Sequence, residues 1–172
     1  SMGGRTLKKF IEQPLQSKDQ INIRLNGVEE IYKNLIKRDA LINALKNVGD
    51  IERICGKISY NTVNPRDCLS LKTSLQQVPT IKNIIKDFNS KAIRLINEKL
   101  VDLSEITELL DNSIDGNCTA NIKEGNCIKE GFNKELDNLR KSDTEGKKWI
   151  TNLEQEEKEQ TGIKNLKIGY NR

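Results

Sequence analysis

Residues able to do covalent chemistry are few in this chain. Histidine is absent, which removes Ser-His-Asp and Cys-His catalysis, HExxH zinc chemistry and a neutral-pH imidazole switch together. Four cysteines stand at positions 55, 68, 118 and 127. They show no CxxC spacing and no secretion signal precedes them, so free thiols in a reducing cytoplasm are expected, with Cys118 and Cys127 able to meet across a hairpin. None of the eleven glycines builds a GxxxxGKS/T or GxGxxG loop. Gly56-Lys57 and Gly146-Lys147 both lack the upstream glycine and the following hydroxyl residue that cradle a nucleotide phosphate. What remains is charge: 29 Lys and Arg against 25 Asp and Glu, a net +4, and a pI of about 8.8, mild beside a dedicated nucleic-acid domain. Most basic residues have an acid one helical turn away, as Lys33 has Glu29, and read as solvated faces. Lys164, Lys167 and Arg172 differ because they gather near the end of the chain, where a DNA phosphate backbone could be met. On a strand, 164 and 167 would point to opposite faces.

Those residues need elements to hold them. Leu, Ile, Val and Phe make up about 27% of the chain, above the roughly 20% floor for folding, yet 31% of residues are charged and only 4% aromatic. Mean hydropathy is −0.65. The 172 residues therefore predict one helical domain with thin cores and an elongated extension. Residues 73–81 form the longest run without a charged side chain, about half of the 18 or so a membrane helix needs, so a cytoplasmic protein without a membrane partner is expected. Ser1 before Met2 reads as a remnant of tag removal.

Helical periodicity begins with Leu7, Phe10 and Ile11 and stops at Pro14. Ser17 is placed to cap a second helix whose core-facing stripe is Ile21, Leu25, Val28, Ile31, Tyr32 and Leu35, with Gly27 making room for a bulky neighbour. Leu41, Ile42 and Leu45 mark a third helix. Asp50 caps a fourth carrying Ile51, Ile54 and Ile58, and Asn64 with Pro65 opens a fifth through Leu69, Leu71, Leu75 and Val78. Pro79 should restart the helix ahead of Ile81, Ile84, Ile85 and Phe88, and two further pieces span 92–100 and 104–110. Extended runs at 118–122 and 127–129, separated by Glu124-Gly125-Asn126, predict a small hairpin.

Asn133 is placed to cap a helix that meets no proline before Gln160, some 42 Å at 1.5 Å per residue. That exceeds the roughly 26 Å diameter of a 100-residue globule, so the helix is expected to protrude. Its apolar residues are sparse: Leu136, Leu139, Trp149, Ile150 and Leu153. The acidic run 154–159 opposes the helix dipole, so its end needs outside support. Thr161-Gly162 should stop it, and the alternation of Leu166, Ile168 and Tyr170 with Asn165, Lys167 and Gly169 predicts a β-strand.

The ordered motifs resemble a known family. Gly3-Gly4-Arg5-x-Leu7-Lys8 with Pro14-Leu15, Ile21-x-x-Arg24-Leu25-x-x-Val28-Glu29, Asp50-Ile51-Glu52-Arg53, and Pro65-Arg66-Asp67 with Ser74-Leu75 and Pro79 are similar to the core of bacterial DNA mismatch-repair MutS proteins. Downstream, Gly125 to Phe132, then Leu136-Asp137-x-Leu139-Arg140, and Glu156 with Thr161-Gly162-Ile163-x-x-Leu166-Lys167-Ile168-Gly169-Tyr170-Asn171 resemble the family's entry into lever helix and clamp. Cys68 and Cys127 stand where leucine is frequent in the family, Asn126 where glycine is, and Phe132 where tyrosine is. The likeness spans residues 2–172.

This resemblance implies a mainly α fold: a multihelical core over 2–131, a long lever helix over 132–160 and the first strand of a truncated clamp over 161–172. It implies a homodimeric parent that senses mispaired bases in double-stranded DNA and uses ATP with magnesium, its mismatch-probing and ATPase elements lying outside this sequence. For these 172 residues it implies no catalysis, no cofactor and no small-molecule substrate, and a mechanical role coupling nucleotide state to DNA enclosure. Lys164, Lys167 and Arg172 are the expected contacts to the DNA backbone. The competing reading is a stand-alone helical interaction module that docks a partner along Leu136, Leu139, Trp149, Ile150 and Leu153.

Overall fold

A computed structural model describes residues 2–169. Among them are nine α-helices, one 3-10 turn and no strand. Local chemistry sets most boundaries. Helix α1 (Met2–Glu12) stops short of Pro14. Helix α2 (Lys18–Lys33) follows Ser17, whose backbone is extended as at a cap but whose side chain makes no capping hydrogen bond, so the expected Ser17 cap does not form. The stripe expected to run on through Leu35 divides at Asn34, whose side chain accepts the Lys37 N–H and opens α3 (Leu35–Lys46). Asp50 accepts the Arg53 N–H at 3.0 Å and opens α4 (Ile51–Ser59). At α5 (Pro65–Gln76) the cap is reciprocal: Asn64 accepts the Asp67 N–H, and Asp67 accepts the Asn64 N–H. Such a pair satisfies two donors that a helix start otherwise strands. Lys57 donates to both Asp67 oxygens at 2.7 and 2.8 Å. That bond, more than the opposing burial, holds the Asp67 carboxyl below its ordinary range.

Pro79 restarts the chain as expected, in the first turn of α6 (Val78–Ile85). Helices α7 (Lys91–Lys99) and α8 (Ser104–Ser113) follow. The hairpin expected over 118–122 and 127–129 does not form. Ile122–Glu124 is a 3-10 turn whose Lys123 N–H is taken by the Asn121 side chain, and Ile128 bridges Ile114 instead. Asn121 offers its backbone a local partner, and this competes with ladder pairing. Asn133 accepts the Leu136 N–H and opens α9 (Lys134–Thr161), unbroken through Gly146 and closed by Gly162 at φ 71°. The chain divides into two compact units, Ser1–Ile128 and Lys129–Arg172.

The first unit holds two small apolar clusters. One joins Ile54, Leu71 and Leu75 with Ile51, Leu103 and Leu110. The other joins Ile85, Phe88 and Ile93 with Ile31, Leu41, Ile81, Ile84 and Leu100. A buried hydroxyl pins the first in place: Ser74, wholly buried, accepts the Gly49 N–H at 2.8 Å and donates to the Ser70 carbonyl at 2.6 Å. A side chain at Gly49 would meet the Ser70 hydroxyl at 2.8 Å and the Ser74 hydroxyl at 3.3 Å, so any larger residue must push these hydroxyls aside.

Helix α2 buries a different face from the expected one. Gly27 is buried and Ile31 packs on the second cluster, while Ile21, Leu25, Val28, Tyr32 and, just past the helix, Leu35 are exposed. The reason is close approach to α7. A Cβ at Gly27 would lie 3.1 Å from the Ala92 Cβ, with Ser90 and Ile93 at 3.8 Å, so the glycine admits the first turn of a neighbouring helix at Ala92 rather than one bulky side chain.

A second tie between these helices comes from Glu30. Its two oxygens accept the Asn89 and Ser90 N–H groups at 2.6 and 2.8 Å, capping the start of α7 from another helix. Burial pushes the Glu30 pKa up, but these bonds, the Ser90 hydroxyl and the Lys37 charge outweigh it and hold it below the ordinary value. Replacing Glu30 by Gln should cost about 1–2 kcal/mol near pH 7, the scale of a lost charge-assisted bond. A depressed carboxylate pKa stabilises the fold above the unfolded-state value and loses that contribution as pH falls through the folded-state value. The gap between wild type and variant in urea melts should therefore close below the ordinary carboxylate range; a gap that persists unchanged into acid would contradict the cap.

Candidate nucleic-acid interface

The expected DNA-contacting residues lie on the segment after α9, and α9 determines where that segment goes. Its start is fixed twice. Asn133 caps it, and Asp137 in its first turn accepts the Gly131 N–H at 2.8 Å. Along its length Lys147 pairs with Asp143 at 2.6 Å and Lys158 with Glu154 at 2.5 Å, each across one turn. The basic side chains expected to face an acid one turn away do so, here and at Glu29–Lys33, 2.6 Å apart. Pairs across one turn stabilise a helix only weakly, so α9 leans on many small local terms.

Past Gly162 the chain reverses. The Gly162 N–H closes on the Lys158 carbonyl, and the Leu166 N–H donates to the Ile163 carbonyl. Two turns back along α9, Glu154 accepts the Ile168 N–H at 3.1 Å. Residues 166–168 therefore run back beside the last turns of α9. The strand expected over 166–170 does not form in 166–169, and Tyr170 lies outside the described residues. Its alternation persists in burial alone: Leu166 and Ile168 are half-buried, Lys167 and Gly169 exposed. A backbone donor that has no sheet partner takes a carboxylate instead.

Glu154 is the residue that sequence reasoning missed. Within an acidic run it carries no distinguishing signal, yet it receives both Lys158 and the returning backbone. The Lys158 bond first, then the Ile168 N–H, hold its pKa below the ordinary value against burial, with the Lys167 charge acting in the same sense. The support that the end of α9 needs comes from this hook.

Of the three expected DNA contacts, Lys164 is exposed in the turn at 164–165 and Lys167 is exposed three residues on, where its charge reaches Glu154. Arg172 lies outside the described residues. The geometry thus presents two exposed cations on a short reversed segment, one partly offset by a carboxylate. Among the described residues no group of three His, Cys, Asp or Glu side chains could hold a metal ion, and no helix is long and apolar enough to cross a membrane. Burial raises the Cys68 and Cys118 pKa values, opposite to an activated thiolate.

Comparison with known proteins gives one consistent result. The model of the family described as MutS domain III matches residues 1–166. The chain is 51% identical, over 99% of its length, to the DNA mismatch repair protein MutS of Caldanaerobacter subterraneus subsp. tengcongensis, covering 20% of that protein. It is 49% identical over its full length to the proteins of the same name from Clostridium beijerinckii and from Clostridium botulinum, covering 18% of each. The chain therefore spans about a fifth of the length of these relatives.

Proposed function

Because this chain belongs to the MutS domain III family, we propose that it is the mechanical part of a DNA mismatch repair protein, a helical core with a lever that couples nucleotide state elsewhere in the parent to enclosure of DNA. In this reading residues 2–131 are the core, 132–160 the lever and 161–172 the start of a clamp. The observation that carries it is the continuity of α9: 28 residues without a break, long enough at 1.5 Å each to carry a displacement about 42 Å. A helix shorter than its span, or hinged midway, could not pass rotation from one end to the other. In this reading the parent is a homodimer on double-stranded DNA that uses ATP and magnesium, with nucleotide and metal held elsewhere in the parent.

Lys164, Lys167 and Arg172 then supply non-specific contact to the DNA backbone. With so few cations, this chain should bind duplex DNA at about 10⁻⁴–10⁻⁶ M without preferring a mismatch. Reversing the charge of Lys164 and Lys167 together should weaken binding and lower the slope of log affinity against log salt by up to about 2. Submicromolar, mismatch-selective binding at physiological salt, or a salt slope unmoved by the double reversal, would contradict the assignment.

A second reading has one observation in its favour. Leu139 and Trp149 on α9 are 63% and 65% exposed, as a partner-docking helix would show. Alanine at both positions should then abolish partner capture while leaving DNA binding unchanged; the lever reading expects no such separation.

A further inference from the structure

Cys118 and Cys127 converge on one turn. Ile114 and Ile128 form an antiparallel bridge. Beyond it the Asp115 N–H donates to the Cys127 carbonyl at 2.9 Å, and the Cys118 N–H donates to the Asp115 carbonyl at 3.2 Å. A single residue, Asp115, therefore links the backbones of both cysteines. Its carboxylate accepts the Asn117 N–H at 2.7 Å, which fixes the turn 115–118. On the other side Gly125 and Asn126 take left-handed conformations, φ 74° and 55°, and the Cys127 thiol donates to the Gly125 carbonyl at 3.3 Å.

Residues that close a β-turn lie within about 7 Å, and residues facing each other across an antiparallel pair about 5 Å apart. Each cysteine is one such step from Asp115, and both side chains are buried, 6% and 8% exposed. All four thiols are free. Cys127 is the largest neighbouring charge acting on Cys118 after burial itself. Cys68, on α5, is half-buried and also lies within reach of the Cys118 charge, but among the described residues no backbone bond links it to the Asp115 turn.

We propose that Cys118 and Cys127 are a dithiol modification site, converted by a small-molecule disulfide into an intramolecular disulfide that staples the turn preceding α9. One thiol loses its proton and attacks a sulfur of the oxidant, forming a mixed disulfide and releasing one thiolate. The second cysteine, also as thiolate, displaces the remaining half, so the mixed S–S bond breaks and the Cys118–Cys127 bond forms. Two protein thiols are oxidised, one oxidant disulfide is reduced to two thiols, and the protein's two protons pass to them. Burial keeps both thiols shielded, so the dithiol is the resting form and conversion follows an oxidising shift. The closed loop is short, and its effect is local stiffening of residues 114–128.

The test uses the whole chain with Cys55→Ser, which removes the exposed thiol, incubated natively with excess glutathione disulfide, then alkylated and mapped by mass spectrometry. The expected product joins the Cys118 and Cys127 peptides, two hydrogens lighter than the dithiol. C118S and C127S should each abolish it and leave glutathione on the remaining partner, whereas C68S leaves it intact. Amide exchange over 114–128 should slow about tenfold or more on oxidation of the unsubstituted pair, a readout that does not depend on how the serine variants fold. Alkylation of both thiols after prolonged incubation, glutathione on each without a cross-link, or a link from Cys68 to Cys118 would overturn the proposal.

Discussion

Phe88→Ala is expected to destabilise the first unit by about 3–5 kcal/mol, the range for removing a buried aromatic ring. Phe88 is 4% exposed and sits between Ile85 and Ile93, with Ile31, Leu41 and Leu100 around the same cluster. Residues from α2, α3, α6 and α7 all meet there, so the cavity has walls from four helices, and collapse of one leaves the others unsupported. The Lys37 ammonium also lies 5.2 Å from the ring centre while pairing with Asp87 at 2.9 Å, and both contacts depend on the ring staying put. With two small clusters among the described residues of the unit, this cost is a large share of the 5–15 kcal/mol typical of a domain. Urea melts should show a lower midpoint at an unchanged slope; a loss below 1 kcal/mol would mean that the cluster is not the structural centre of the unit.

Substitution at Gly146 should give effects of opposite sign. A Cβ there meets nothing within 4 Å, and alanine is the better helix former by about 1 kcal/mol, so Gly146→Ala should stiffen α9. Proline at the same place removes the N–H bond to the Ser142 carbonyl and clashes with that oxygen, costing about 3 kcal/mol or more. No residue of α9 is buried, so packing cannot compensate. In the full-length parent, Gly146→Pro should keep ATP hydrolysis and lose nucleotide-dependent retention on DNA, while Gly146→Ala keeps both. Retention unchanged by the proline would remove the mechanical role from α9.

What could be read in advance follows from the range of the forces involved. Caps at Asp50, Asn64 and Asn133, the restart at Pro79 and the stop at Gly162 are set within three or four residues, and each stands where the residue types place it. The mainly α fold and the uninterrupted α9 follow from the same local rules. The buried face of α2 does not, because apolar residues surround that helix and the choice falls to Gly27, which admits α7. The Glu30 cap spans 59 and 60 residues, beyond any local pattern. At 166–169 the period-two alternation predicts a strand that does not form, although Leu166 and Ile168 are half-buried. It could not give the Glu154 carboxylate as the partner of Ile168. Lys164 and Lys167 stand out in the sequence by charge alone, and charge alone does not order them on a surface.

Stiffness of α9 is the claim on which the mechanical reading rests, and a distance distribution reads it directly. Spin labels carried on non-canonical side chains at positions 135 and 159, both exposed, span 24 residue steps of one helix. Pulsed electron resonance on this chain should return a single narrow distribution centred at about 36 Å between backbone positions, from 1.5 Å per residue. A broad distribution, or a population many ångströms shorter, would show a rod that bends near Gly146 and would contradict the account.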